Sequence, residues 1–264
     1  MRASVRVVCL PVKAAKWAAR FLARGTRFPH LTCDAMCGRF TLTRSAAEVA
    51  DHFGLTAAPA HEPRFNTAPS QMVLIVRRAP ADQQRECVRM QWGLVPFWAK
   101  HAKDAARHIN ARSETLPERP AFREAAERRR CLVPADGFYE WRGGPTERAP
   151  FHIALPGGEL FAFAGLWERW RRPDDSGVLE SVSIVTTAAT PNIQPLHARM
   201  PIVVDPAGYD AWLAAEGRDV KAVLASLPIS RGAALVARAV SVRVNDVRND
   251  DAACLAAAEQ GALF

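Results

Sequence analysis

Apolar and polar positions alternate in short runs along most of this chain, and the runs follow one another at hairpin-like intervals. Arg39 to Thr43 reads as a strand. Ser45-Ala46-Ala47-Glu48 has capping-box spacing, and the helix it opens runs to Phe53, where Gly54 stops it. Pro59 to Pro69 reads as a loop. Gln71 to Arg78 is an apolar strand, with Glu86 to Trp92 as its partner. Gly93 to Lys100 is irregular, and Ala121 to Arg129 is a short basic helix. Strands are expected at 131–134, 137–142, 150–155, 160–166 and 180–187, separated by Gly-, Pro- or Asp-rich turns. Pro206 to Glu216 and Asp219 to Leu227 read as helices, and Leu235 to Val244 as a closing strand. Strands outnumber helices and do not alternate with them. The expected class is therefore α+β, mainly antiparallel.

With 264 residues, 49% of them hydrophobic, the chain can bury a substantial core. It has no run of about 18 apolar residues, so no transmembrane helix is expected. Its six cysteines are scattered, without CxxC spacing or a neighbouring His cluster. Neither a metal site nor a disulfide framework is expected, and a reducing compartment fits best. The formal charge of +8 is concentrated at the start. Residues 1–36 carry seven Lys or Arg against Asp34, whereas the remainder carries 28 basic and 26 acidic residues. Any nucleic-acid site in the body must therefore be a local patch. Residues 1–35 form a basic extension that is expected to be absent from the mature protein, with Met36 as the true start.

That start matters because Met36 precedes Cys37. Cysteine is small, so removal of the initiator would leave Cys37 as residue one, with a thiol and a free α-amine on adjacent carbons. The amine condenses with an aldehyde, and the thiol then closes a thiazolidine. A small buried cysteine near a strand is the other reading.

Further candidates lie downstream. Strand alternation sets Glu140 on one face with Phe138, where aromatics desolvate a carboxylate and suit it to general acid work. A solvent-facing Glu paired with Arg142 is the alternative. Asn110 and Arg112, two apart, share a face with Glu114 if the segment is extended. His197 lies in a loop or turn between Pro195 and Pro201. Trp92 reads as core, and Phe97 and Trp98 read either as core or as aromatics that stack on unpaired bases.

Six blocks, MCGRF (36–40), RFNTAPSQ (64–71), WGLVPFWAK (92–100), INARSET (109–115), CLVPADGFYEW (131–141) and LHARMP (196–201), followed by VNDVRND (244–250), resemble the SRAP family in order. These are abasic-site processing proteins, once called SOS-response-associated peptidases. The resemblance spans nearly everything after residue 35. It implies one compact domain, 36–264, of β-sheets folded towards a barrel with peripheral helices and a groove holding the N-terminus. It makes Cys37, Asn110, Glu140 and His197 catalytic, and Arg39 and Arg112 contacts to DNA phosphate. The implied partner is single-stranded DNA containing abasic sites, with no cofactor and no membrane. A cytoplasmic monomer is expected, nucleoid-associated if bacterial. Covalent capture of the abasic aldehyde, with lyase activity as a side reaction, competes with a cysteine peptidase that uses Cys37, His197 and Glu140. A non-catalytic nucleic-acid-binding module ranks third. Asn66, in Arg64-Phe65-Asn66, belongs to a block lining the groove, with its role open.

Overall fold

The computed structural model of the protein describes residues 38–143, 148–214 and 219–258. Strand β1 (Phe40–Leu42) leads into helix α1 (Ala46–Phe53). The expected capping box is present: the Ser45 hydroxyl accepts from the Glu48 amide while the Glu48 carboxylate accepts from the Ser45 amide. Gly54 closes the helix in the left-handed conformation.

The segment expected as a loop contains a strand, β2 (Arg64–Thr67), which pairs antiparallel with β1. Strands β3 (Met72–Arg78) and β4 (Arg85–Trp92) form the expected hairpin. A short strand, β5 (Asn110–Arg112), comes next, and then helix α2 (Pro120–Arg128). Strands β6 (Arg130–Ala135), β7 (Gly137–Arg142), β8 (Ala149–Ala154), β9 (Phe161–Arg171) and β10 (Val178–Ala188) follow. Two further short strands, β11 (Arg199–Pro201) and β12 (Val203–Val204), lie past the expected pattern. Helices α3 (Tyr209–Leu213), α4 (Val220–Ser226) and α5 (Arg231–Ala234) precede β13 (Val236–Ala239). β13 is shorter than the strand expected to Val244, because the chain turns at Ser241 into a 3-10 turn over Val242–Asn245.

Two sheets result. One runs β13-β8-β7-β1-β2. In the other, β10 pairs with both β4 and β9, and the pairs β4–β3, β3–β6 and β6–β9 close a five-stranded barrel. The pairing is antiparallel except where β10 runs parallel to β4 and β5. Alternate residues of β3 divide between two apolar clusters: Leu74 and Val76 pack with α1, α2 and α3, whereas Val73 and Ile75 pack with Phe40 and Phe138 of the other sheet. Phe163 centres the second cluster, with Phe40, Phe138 and Phe161 at 5.9, 5.9 and 5.3 Å between ring centroids. Such ring pairs add about 0.5–1.5 kcal/mol each beyond their burial.

The chain passes from one sheet to the other at Asp136, whose carboxylate accepts from the Thr43 amide and hydroxyl, both at 2.6 Å. Gly137 starts β7 directly against His152. A Cβ there would stand 2.0 Å from the imidazole Nε2, so only glycine fits. No helix among the described residues is long and apolar enough to cross a membrane.

Candidate active site

Gly38 is the first described residue at this end of the chain. Cys37, Met36 and the basic extension 1–35 lie outside the described residues. The site is therefore built from what surrounds the start of β1. Phe40 pairs with Phe138 in β7, and the Tyr139 amide donates to the Arg39 carbonyl at 3.0 Å.

Arg39, expected at a phosphate, is 1% exposed. Its Nη1 donates to Asn66 Oδ1 at 2.7 Å and to the Val244 carbonyl at 3.0 Å. Burial, the main cause, lowers the guanidinium pKa to about 9, partly offset by Tyr139 and Asp246. The side chain expected at a phosphate is thus bonded inside the protein.

Asn66 is the residue that sequence reasoning left without a role. Its amide nitrogen donates to the carbonyls of Val244, Asp246 and Asn249 at 3.2, 3.1 and 2.7 Å. Asp250 completes the clamp, accepting from the Phe65 and Asn66 amides at 2.6 and 2.8 Å and pairing with Arg64. The segment VNDVRND is thereby folded back on β2 as a wall beside Arg39. Trp141 belongs to the same wall: its indole N–H donates to Asn245 Oδ1 at 2.7 Å, and the Arg39 guanidinium lies over its ring at 5.9 Å. A Trp beside the candidate Glu140 was the available sequence signal. Nothing local marks Asn245 as its partner.

Glu140 is 4% exposed on β7. The solvent-facing alternative is excluded, and Arg142 instead stacks over Phe151 at 4.9 Å. Asn110, half-buried, opens β5 and runs parallel to β10 with Ile184 as its register partner. His197, also half-buried, sits in the expected turn before β11. These three come from distant parts of the chain, yet their neighbours meet. Ile109, Phe138 and Leu196 all pack on the apolar cluster that holds Phe40. One cluster thus fixes the strand start that follows Cys37 and the backbone on which Asn110, Glu140 and His197 are carried.

Around His197 the hydrogen bonding is specific. Its Nδ1 lies 3.1 Å from the Arg199 amide nitrogen and 3.2 Å from the Arg199 carbonyl oxygen. Its Nε2 makes no hydrogen bond to any described residue. The Arg199 guanidinium grips both carboxylate oxygens of Glu114 at 2.9 Å. Glu114 does not share the face of Asn110 and Arg112. β5 ends at Arg112, and the 3-10 turn Ser113–Thr115 carries Glu114 across to Arg199.

Arg112 is exposed and forms no ion pair with a described residue. Phe97 and Trp98 are also exposed, at 53% and 55%. They stand on a braced loop: the Val95 amide donates to the Ser181 hydroxyl at 2.9 Å, and the Trp170 indole donates to the Ala99 carbonyl at 2.7 Å. Neither is core, whereas Trp92, 1% exposed with its indole bonded to the Ile109 carbonyl, is.

Residues 36–247 match a family model described as SOS response associated peptidase (SRAP). The chain is 35% identical over 219 residues to abasic site processing protein YoqW of Bacillus subtilis (strain 168), covering 81% of this chain and 96% of that protein. It is 32% identical over 237 residues to abasic site processing protein HMCES of Mus musculus, covering 75% and 65% of the two chains. Among solved structures, a protein from Bacteroides thetaiotaomicron superposes with a TM-score of 0.70 at 22% identity, covering 84% of this chain and 99% of its own. A Bordetella bronchiseptica protein gives 0.65 at 27% identity, covering 78% and 100%.

Proposed function

This chain belongs to the SRAP family, and on that premise we propose that it processes abasic sites in single-stranded DNA by forming a covalent adduct through Cys37, as the first residue of the mature chain. The relatives named abasic site processing proteins support the substrate. The observation that carries the reading is the shared cluster. Phe40, three residues past Cys37, belongs to the same apolar cluster as Ile109 and Phe138, with Leu196 packed against it, and these lie one, two and one residues from Asn110, Glu140 and His197.

The chemistry follows from an aminothiol meeting a masked aldehyde. Glu140, held out of water on β7, donates a proton to the sugar ring oxygen. The bond from that oxygen to C1′ breaks, the C1′ hydroxyl gives up its proton to water, and the aldehyde opens. The Cys37 amine adds to C1′, and loss of water leaves an imine. Sγ then adds to the same carbon, and the thiol proton ends on the ring nitrogen of the thiazolidine. Asn110 holds the amine, His197 carries protons in the later steps and in reversal, and Arg112 meets the phosphate from the exposed side. Phe97 and Trp98 offer stacking surface to unpaired bases.

The peptidase alternative assigns Glu140 to orient His197 while the other ring nitrogen takes the thiol proton. Nδ1 already lies against the Arg199 peptide. The orienting place assigned to Glu140 is therefore already held by that peptide. Aldehyde capture is favoured because it uses the α-amine of Cys37 as well as its thiol, which a peptidase nucleophile does not need.

The test is the intact mass of native protein together with its adducts. The active form is expected to begin at Cys37. Heat-stable adducts with abasic single-stranded DNA are expected to vanish in Cys37→Ala, which keeps an amine but no thiol. A crosslinking-competent sample that retains Met1, or undiminished adducts from the variant, defeats the proposal.

A further inference from the structure

The Glu114–Arg199 pair lies beside the proposed chemistry without entering it. Both partners use the full geometry available to them: two parallel N–H···O bonds of 2.9 Å between a planar guanidinium and a carboxylate. Arg199 also donates to the Thr186 carbonyl at 2.8 Å, so the side chain spans from β10 to the turn after β5. Its side chain is only 18% exposed, and hydrogen bonding to Arg199 is the main cause that lowers the Glu114 pKa. Isolated surface pairs are worth little, but this one joins three segments. Those segments are the end of the strand that carries Asn110 and Arg112, the edge of β10, and the start of β11.

The backbone of Arg199 is the anchor of His197. Its amide and carbonyl lie 3.1 and 3.2 Å from Nδ1. The peptide can donate to an unprotonated Nδ1 and accept from a protonated one. The ring therefore keeps one orientation whether it holds one proton or two. We propose that Glu114 is a positioning residue for His197, acting through Arg199: the ion pair fixes the peptide that holds Nδ1, which keeps Nε2 as the nitrogen that exchanges protons. The neutral ring is then the Nδ1–H tautomer, donating to the Arg199 carbonyl and leaving the Nε2 lone pair to take a proton.

The tautomer is independent of the proposed function; the kinetic consequence rests on it. The experiment is a ¹⁵N spectrum of the His197 ring in the full chain, read beside single-turnover formation and reversal of the adduct on abasic single-stranded DNA. The wild type is expected to show one neutral tautomer, with the proton on Nδ1. Glu114→Ala is expected to show averaged ring nitrogens and a His197-dependent step about tenfold slower, a smaller loss than full removal of a general acid–base. Glu114→Gln, isosteric and uncharged, serves if the alanine variant does not fold. The exchange variant Glu114→Arg with Arg199→Glu rebuilds the pair in reverse and is expected to restore the single tautomer. A wild-type ring spectrum in Glu114→Ala or Glu114→Gln overturns the proposal. If the ring loses its order while Glu114→Ala and His197→Ala both react at the wild-type rate, the positioning stands and the proton role given to His197 falls.

Discussion

Arg39 donates a 2.7 Å hydrogen bond to Asn66 Oδ1, across 27 residues of sequence, and both side chains are buried. That bond ties the strand following Cys37 to the wall formed by residues 244–250. The two amide hydrogens of Asn66 are shared among three carbonyls of that wall. Asn66→Ala is expected to leave Arg39 short of an acceptor and the wall loose, costing on the order of 2–3 kcal/mol. Urea unfolding should show a lower midpoint, and limited proteolysis should find the wall cut first. An unchanged midpoint would mean that the clamp is not stabilising.

Glu140→Gln keeps the shape of the side chain and loses its proton. Adduct formation on a natural abasic site is expected to slow about a hundredfold to ten-thousandfold, with DNA affinity nearly unchanged. On a substrate that presents an already open aldehyde, most of the rate should return. Single-turnover kinetics on both substrates checks this, and a wild-type rate on the natural site removes Glu140 from the ring-opening step.

Arg112 is the exposed cation of β5. Arg112→Ala is expected to weaken binding to all single-stranded DNA about equally. It should flatten the slope of log affinity against log salt by roughly 0.7, the value for one phosphate contact. Titrations over a range of salt give the slope, and an unchanged one shows that Arg112 touches no phosphate.

His152 sits against Thr41, 3.1 Å from its hydroxyl, and burial pushes the imidazole pKa down to about 4. The unfolded chain, with an ordinary His near 6.5, binds the proton first as the pH falls. Stability is expected to drop progressively between pH 6.5 and about 4, by on the order of 2–3 kcal/mol from this residue. His152→Gln should show a smaller change in urea midpoint between pH 7 and 4.5 than the wild type. Equal changes in the two proteins would assign the acid sensitivity elsewhere.

The chain's own pattern determined whatever depends on neighbours in sequence. Ser45 and Glu48 cap α1 because Glu48 stands three positions after Ser45, and Phe138 and Glu140 share a face because strands alternate. The strand-rich order, the β3–β4 hairpin and the turn before β11 follow from the same local rules. Tertiary structure decided what depends on partners far away. β2 is a strand only because β1 offers it a ladder, and nothing in the Pro-flanked segment 59–69 shows that edge. Arg39 reads as a surface cation until Asn66 and the Val244 carbonyl, 205 residues away, draw it inside. Glu114 leaves its expected face for Arg199, 85 residues on. Phe97 and Trp98 stay outside because Ser181 and Trp170, on the adjoining strands β10 and β9, brace their loop. Periodicity records which way a side chain leaves its own backbone. Whether that direction ends in core, water or a hydrogen bond is set by segments that only folding brings alongside.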